Sequence, residues 1–512
     1  MNRLFGSILL GLSVVCAGAA RSQPASVDAS ASDRIDVLES RSLEALEAGD
    51  FKRASEGLRE VAAARPKDPF VHYNLACALA AGGETDQAIA ALTEAIAVGF
   101  IDFFHMERDP HLASLKPTAR YQAIVLGWGE LMEARGASDH ESLKAALGHG
   151  YTFERDAGVR LNYASAFDAE AFETAKREIV RVARWAARDG DGKGAELFPA
   201  VAERDARPDA WVSVVLPSQK DFIRIVMSDR VGGVYDRDRK RLISRDVGPS
   251  LRHEFFHVLH WRHMDRLGQE HPYWIMEGMA ALVEDVGDDG EGGIVVLPSW
   301  RTNTAKRLAD AGRLTPWKTL FALDRERFLG DRARAFYAQS RAVFMYMLSM
   351  GKLEAWYRTY TEGDAGQGGY AADATGGRAI EVVFGSPLQS VEKDFRKWVR
   401  GLEVVGETAH PGEAGLGATV QEGAGDGVVI SRVVQDRGVG RAGPPEKRLR
   451  MRDVVVAIDG EPTPTLDDYY RVLSARTTGE RVTVQVRRGA LRLEIEVELR
   501  QEAAGDEEIG LP

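Results

Sequence analysis

Cysteine is nearly missing from this chain. Cys16 and Cys77 are the only two among 512 residues, which excludes a disulfide-stapled scaffold and leaves the fold to its apolar cores. Long apolar runs are scarce as well. After Val15 no segment approaches the length that spans a bilayer, so no transmembrane segment is expected once a leader is removed. Positive charge is not concentrated: net charge is −11, the basic residues are dispersed, and no basic stripe carries interleaved aromatics. Nucleic acid is therefore not an expected partner. No phosphate-cradling glycine loop with its lysine is present. The run Asp189-Gly190-Asp191-Gly192 lacks the remaining ligands of a calcium loop and is followed by Lys193, so it reads as a solvated turn.

What is present begins with Arg3, an apolar stretch from Leu4 to Val15, and Cys16-Ala17-Gly18-Ala19-Ala20. This reads as a signal peptide over residues 1–20, with export to the periplasm or the extracellular space. Cys16 opens the alternative of a lipoprotein anchor, against which Val15 stands where a lipobox prefers a small residue. From 33 to 130 the chain repeats with a period of 34: Gly49, Ala54 and Leu58 recur as Gly83, Ala88 and Leu92. That period resembles tetratricopeptide repeats, which implies paired helices. A degenerate third unit runs through Phe100 to Trp128, broken at Asp109-Pro110, and Cys77 is expected to pack between helices as an inert thiol. Such a unit either offers a groove to a protein partner or serves as a spacer.

Against that background stands His253-Glu254-Phe255-Phe256-His257. Histidines four apart on a helix project from one face and can grip one zinc ion. Glu254 then sits beside the metal as a general base toward a zinc-bound water, and the implied reaction is amide hydrolysis. Leu251 to Arg266 holds neither Gly nor Pro, which predicts a helix ending near Gly268.

Two residues compete for the third ligand position. His263 would complete the metzincin pattern, except that His260 stands where that pattern has glycine. On a straight helix His263 lies about 15 Å beyond His253. Glu277 is the other candidate, in a second helix that begins at Pro272. Gly278, Ala280 and Ala281 are small enough to let that helix pack closely on the first. The HExxH helix followed by Trp274-Ile275-Met276-Glu277-Gly278-Met279-Ala280 resembles the gluzincin peptidases. The resemblance implies one zinc ion per chain on His253, His257 and Glu277, with Glu254 as base.

Further positions extend the site. Glu284, seven residues after Glu277 and on the same helix face, could accept a hydrogen bond from a ligand histidine; the alternative is a solvated carboxylate. Tyr337 matches the position of an oxyanion-stabilising tyrosine in aminopeptidase-type gluzincins, or is a core residue. A strand is expected over Trp211 to Val226. By analogy with gluzincins, Gly233, Val234 and Tyr235 would form an edge strand for the substrate, unless they are an ordinary hairpin. Gly363 to Gly377 reads as a flexible surface loop, and Val405 to Glu413 as a linker.

From Gly415 to about Arg500 the chain resembles a PDZ domain. Leu416, Gly417 and Ala418 match its carboxylate-binding loop, which implies capture of a peptide carboxyl terminus beside Ala418 to Val420. Two departures are Pro444 to Arg448, read as an insertion, and Arg452 in place of the usual glycine.

The expected chain is multidomain: helical repeats at 33–130, an α+β gluzincin metallopeptidase domain at 150–403, a small β-rich PDZ domain at 414–500 and a disordered tail at 501–512. An endopeptidase is favoured over an aminopeptidase, because no acidic anchor for a substrate amine is recognisable. The alternative class is a non-catalytic or latent zinc-binding scaffold, which the intact Glu254 argues against.

Overall fold

The computed structural model describes residues 31–187, 195, 197–198, 207–227, 232–290, 292–330, 332–363, 368–405, 414–421, 427–433, 448–464, 466–474, 476, 479–489 and 491–501. The expected leader with Cys16, the turn at 189–192, the linker from 406, the inserted residues 444–447 and the tail beyond 501 lie outside these. The chain divides into two compact units between Arg135 and Gly136.

The first unit consists of α1 (Ala31–Glu47), α2 (Phe51–Ala64), α3 (Pro69–Ala81), α4 (Thr85–Val98), α5 (Phe103–Arg108), α6 (Ala119–Leu126) and the start of α7 (Trp128–Leu147). Consecutive helices from α1 to α4 pack on one another. The period has a physical cause. Gly49 and Gly83 end the first helix of each pair at φ of +80° and +85°, which side chains resist. Ala54, Leu58, Ala88 and Leu92 are fully buried between the helices. Cys77 is buried too, and its thiol donates to Asp109 Oδ2 at 3.3 Å. Burial and the neighbouring carboxylate push the thiol pKa well up, so it stays protonated and unreactive.

The second unit opens on a five-stranded mixed sheet, ordered β1-β2-β3-β5-β4. Its strands are β1 (Thr152–Asp156), β2 (Leu161–Ser165), β3 (Val212–Leu216), β4 (Gly233–Asp236) and β5 (Arg241–Ser244). Alternation along the strands separates two cores. Tyr163, Val212, Val214 and Leu242 face the main core, whereas Ala164, Val215 and Ile243 face a smaller one with Phe222. Helix α8 (Ala169–Ala187) covers the main face through Phe172, Ala175, Ile179 and Val182, spaced as one helical stripe.

The strand expected through Val226 is cut short. Gln219–Val226 is helix α9, because Ser218 accepts a hydrogen bond from the Asp221 amide and starts a turn that buries Phe222. Such a cap satisfies backbone donors that a strand would pair with a neighbour.

Helix α10 (Pro249–Leu267) ends at Gly268, φ +65°. Helix α11 (Tyr273–Ala280) is followed by a 3₁₀ turn (Ala281–Val283) and the hairpin β6 (Val286–Asp288) and β7 (Ile294–Val296). The helical remainder comprises α12 (Trp300–Asp310), α13 (Trp317–Leu320), α14 (Arg325–Phe328), α15 (Ala333–Ser349), α16 (Leu353–Glu362), α17 (Gly377–Phe384) and α18 (Leu388–Arg400). The end of the segment read as a flexible loop is held to the core by three donors. Tyr360 Oη bonds Ala374 O at 2.9 Å, Trp274 Nε1 bonds Thr375 O at 3.0 Å, and Trp356 Nε1 bonds Gly376 O at 3.2 Å. Aromatic residues far away in sequence supplied what local composition could not show.

The carboxyl-terminal region has β8 (Ala414–Gly415), β9 (Ala418–Gln421), β10 (Val428–Val433), β11 (Val454–Ile458), β12 (Glu461–Pro462), α19 (Leu466–Ser474), β13 (Arg481–Arg488), β14 (Leu491–Glu498) and β15 (Arg500–Gln501). The sheet runs β14-β13-β11-β10-β9, and β15 pairs with β8. Gln501, placed at the start of a disordered tail by the sequence, thus belongs to a strand. Among the described residues no helix is long and apolar enough to cross a membrane.

Candidate metal centre and peptide groove

The geometry of the centre follows from how three helices meet. Gly278 on α11 lies against α15: a Cβ there would come within 2.7 Å of Phe344 and 2.8 Å of Ser340. The sequence expectation that the small residues Gly278, Ala280 and Ala281 seat α11 on the motif helix is corrected for Gly278, whose close approach is to α15. Ala280 and Ala281 are buried in the main core. That approach decides the partner of Glu277. Tyr337 sits two turns before Phe344 on the same side of α15, and its phenol hydrogen-bonds the Glu277 carboxylate.

His253, His257 and Glu277 converge, with one potential ligand atom each and all of these within 4.8 Å of one another. The Nε2 atoms of the histidines are 3.1 Å apart. Glu277 Oε2 lies 3.3 Å from the first and 3.5 Å from the second. Zinc bonds of about 2.0–2.1 Å in a tetrahedron give ligand separations of roughly 3.3 Å, so the three atoms have the spacing of three tetrahedral corners. The protons agree with this. His253 Nδ1 is 2.8 Å from Glu284 Oε1; donating there would leave Nε2 to turn its lone pair on a cation once it gives up its own proton.

The electrostatics favour a cation. Burial disfavours charge on His253, but hydrogen bonds with Glu277 and Glu284 outweigh it and hold the pKa up at about 10. Burial would raise Glu277, yet the two imidazoles keep it well below the usual carboxylate range. Glu254 behaves differently. Burial raises its pKa, and the adjacent histidines only partly oppose this. Burial and the charge of Glu277 also push the Tyr337 phenol well up, so it keeps a proton to donate.

Gly233, Val234 and Tyr235 lie on β4, which is at the edge of the sheet and, among the described residues, pairs with β5 alone. The strand passes close to Glu254. A Cβ on Gly233 would meet Glu254 Cγ at 2.7 Å, and the Tyr235 backbone amide hydrogen-bonds the Glu254 carboxylate.

Glu284 is reached by a different route from the one the sequence suggests. Helix α11 stops at Ala280, and Glu284 follows the 3₁₀ turn instead of continuing one helix face. Two arginines that no motif singles out hold it. Arg252 bonds the carbonyls of Val283 at 2.8 Å and Glu284 at 2.6 Å. Arg301, on α12, grips both carboxylate oxygens, Oε2 through Nε and Oε1 through Nη2 at 2.8 Å. Arg252 neighbours the motif, but nothing local marks Arg301.

His263 does not join the centre. Helix α10 continues past it, and its Nδ1 lies 2.9 Å from Tyr357 Oη. His260 Nε2 meets His271 Nδ1 at 2.8 Å, and His271 Nε2 meets Gln269 Oε1 at 3.0 Å. Gln269 donates its amide to Thr361 O at 2.8 Å, which fixes its oxygen as the acceptor and so both imidazole tautomers.

In the carboxyl-terminal region, Leu416-Gly417-Ala418 forms the turn into edge strand β9. Gly417 has φ +66°, while Leu416 and Ala418 are buried. Tyr469, Val472 and Leu473 of α19 pack into the same core. Arg452, standing where a glycine is usual, adopts φ +71°, so the left-handed backbone persists with an arginine at a cost of about 1–2 kcal/mol.

No curated protein is similar enough to the chain to match it. One similar solved structure is an aminopeptidase N family protein from Idiomarina loihiensis, at 12% identity over 69% of this chain and 67% of that one, with a TM-score of 0.27. A score that low does not carry a shared fold. Residues 414–499 match the PDZ domain family, and with an exposed β9 edge beside its glycine turn this part of the chain is a PDZ domain, a module that binds peptides or proteins.

Proposed function

We propose that the chain is a zinc-dependent peptidase, and that its PDZ domain recruits protein or peptide partners. The observation that supports this best is the convergence of His253 Nε2, His257 Nε2 and Glu277 Oε2 at tetrahedral spacing, with Glu254 beside them under an edge strand. A zinc ion held there would supply a Lewis acid that acidifies water and polarises a carbonyl. The chain's residues then have distinct tasks. Glu254 takes the proton from the attacking water and passes it to the leaving amine. The Tyr337 phenol turns from Glu277 to the oxygen on which negative charge develops. The free edge of β4 aligns an extended peptide by main-chain hydrogen bonds, which selects for backbone and not for sequence. Glu284 fixes the tautomer of His253.

We favour an endopeptidase, since the β4 segment carries no acidic anchor aimed at a substrate amine: Asp236, its one acid, caps the Arg239 amide at 3.0 Å. The helical first unit would offer a second surface for a protein partner, and the amino-terminal leader would carry the chain to the periplasm or beyond. The test is digestion of a diverse peptide library by zinc-loaded protein beside its Glu254→Gln variant. Cuts made only by the wild type support the reading. Zinc uptake by both proteins with cuts by neither overturns it.

A further inference from the structure

Arg301 touches both the Glu284 carboxylate behind the metal centre and the Tyr337 ring in front of it. Its guanidinium forks onto both oxygens of Glu284. The same Glu284 oxygen that accepts Nη2 at 2.8 Å lies 2.8 Å from His253 Nδ1. The other side of the cation lies against Tyr337, with Cζ 5.2 Å from the ring centroid, and the Trp300 ring is 4.5 Å away. Burial works against the charge on Arg301, but Glu284 outweighs it and raises the pKa above the ordinary arginine value. This cation is therefore permanent.

From this geometry we infer that Arg301 is a positioning residue that tunes the metal affinity of His253 through Glu284 and holds the Tyr337 ring in register with Glu277. The inference deepens the proposed zinc-peptidase reading and rests on it. Two consequences follow from the chemistry. A planar fork fixes the carboxylate plane, so that one oxygen is directed at His253 Nδ1 and the imidazole cannot rotate its Nε2 off the centre. A point charge cannot do the same, so lysine is not an equivalent replacement. The ring contact is a cation–π interaction in a water-poor setting, which orders Tyr337 without using its hydroxyl.

The test uses the full chain and reads zinc affinity by competition with a chromophoric chelator, alongside the visible absorption of the cobalt(II)-substituted protein. Arg301→Gln is expected to weaken zinc binding by roughly 10–100-fold and to shift the cobalt bands, because the field at His253 changes. Arg301→Lys, which keeps charge and lacks the fork, should fall between Gln and wild type. In peptide cleavage, both variants should lose kcat more than they raise KM. Unchanged zinc affinity and cobalt spectrum in folded Arg301→Gln overturn the inference. So does a lysine variant that binds zinc as tightly as the wild type, since a point charge would then replace the fork. Should Arg301→Gln misfold, the lysine variant carries the decision. If the wild type binds zinc and cuts nothing, the peptidase reading fails alone, and the affinity series still judges Arg301.

Discussion

Helix α10 carries two histidine clusters whose centres are less than two turns apart, and they have opposite electrostatics. At its amino-terminal half, His253 and His257 face Glu277, with Glu254 and Glu284 close by, and the His253 pKa is driven up to about 10. Toward its end, His260 and His263 meet His271, Tyr357 and Phe198, with no carboxylate among the described residues in hydrogen-bond contact. There burial lowers His263 to about 4 and His271 to about 3. Both clusters are buried and both are aromatic. The comparison teaches that imidazoles alone do not make a cation site in an interior. Carboxylates must repay the desolvation of the charge.

The sharpest way to break this contrast is to remove the deciding carboxylate. Glu277→Gln keeps shape and hydrogen bonding but deletes the anion. Zinc affinity is expected to fall by more than ~100-fold, beyond the effect of a supporting residue; chelator competition measures it. A smaller loss would show that geometry outranks charge here.

Acid should act on the second cluster. At pH above 6.5, the ordinary histidine value, folded and unfolded chains both leave these rings neutral. Between 6.5 and about 4 the unfolded chain takes up a proton that folded His263 refuses, so stability falls as pH falls. The loss is at most about 3.5 kcal/mol for this residue, each unit being worth ~1.4 kcal/mol. Denaturant midpoints measured across this pH window check the slope, and a flat profile contradicts it.

His271→Leu comes next in size. It strands the His260 Nε2 donor and should lower stability by about 1–3 kcal/mol, with zinc affinity unchanged. Urea unfolding and chelator competition on the same sample separate the two clusters; a joint loss would show them to be coupled. The smallest effect is an attempt to make the second cluster resemble the first. Gln269→Glu places an anion 3.0 Å from His271 Nε2, at the expense of the amide bond to Thr361 O. The His271 pKa should rise by roughly 1–2 units, read from its ring proton in an NMR titration.

Much of the centre was legible along the chain because a helix converts spacing into a shared face. His253 and His257 follow from an interval of four, Gly268 stops the helix through its left-handed backbone, and the glycines of the 34-residue period mark turns. The PDZ domain was legible for a similar reason, its glycine turn and strands lying in sequence order. Glu284 was placed on the wrong element, since the change from α-helix to 3₁₀ turn after Ala280 leaves no mark in composition. The strand projected through Val226 failed because one serine cap outweighed β-branched alternation. The segment ending at Gly376 looked loose only because its three donors lie elsewhere in the sequence.

The sequence by itself determined which side chains could bind a cation and which could act as base, because helical geometry alone puts two imidazoles and a carboxylate within reach. The tertiary structure decided the rest. It brought Glu277, and not His263, beside His253 and His257, and it brought Arg301 from a separate helix onto Glu284. Among the described residues it also gave His260, His263 and His271 no carboxylate hydrogen bond to offset burial. These outcomes depend on which helices touch, and buried charge is settled by the partners that packing delivers.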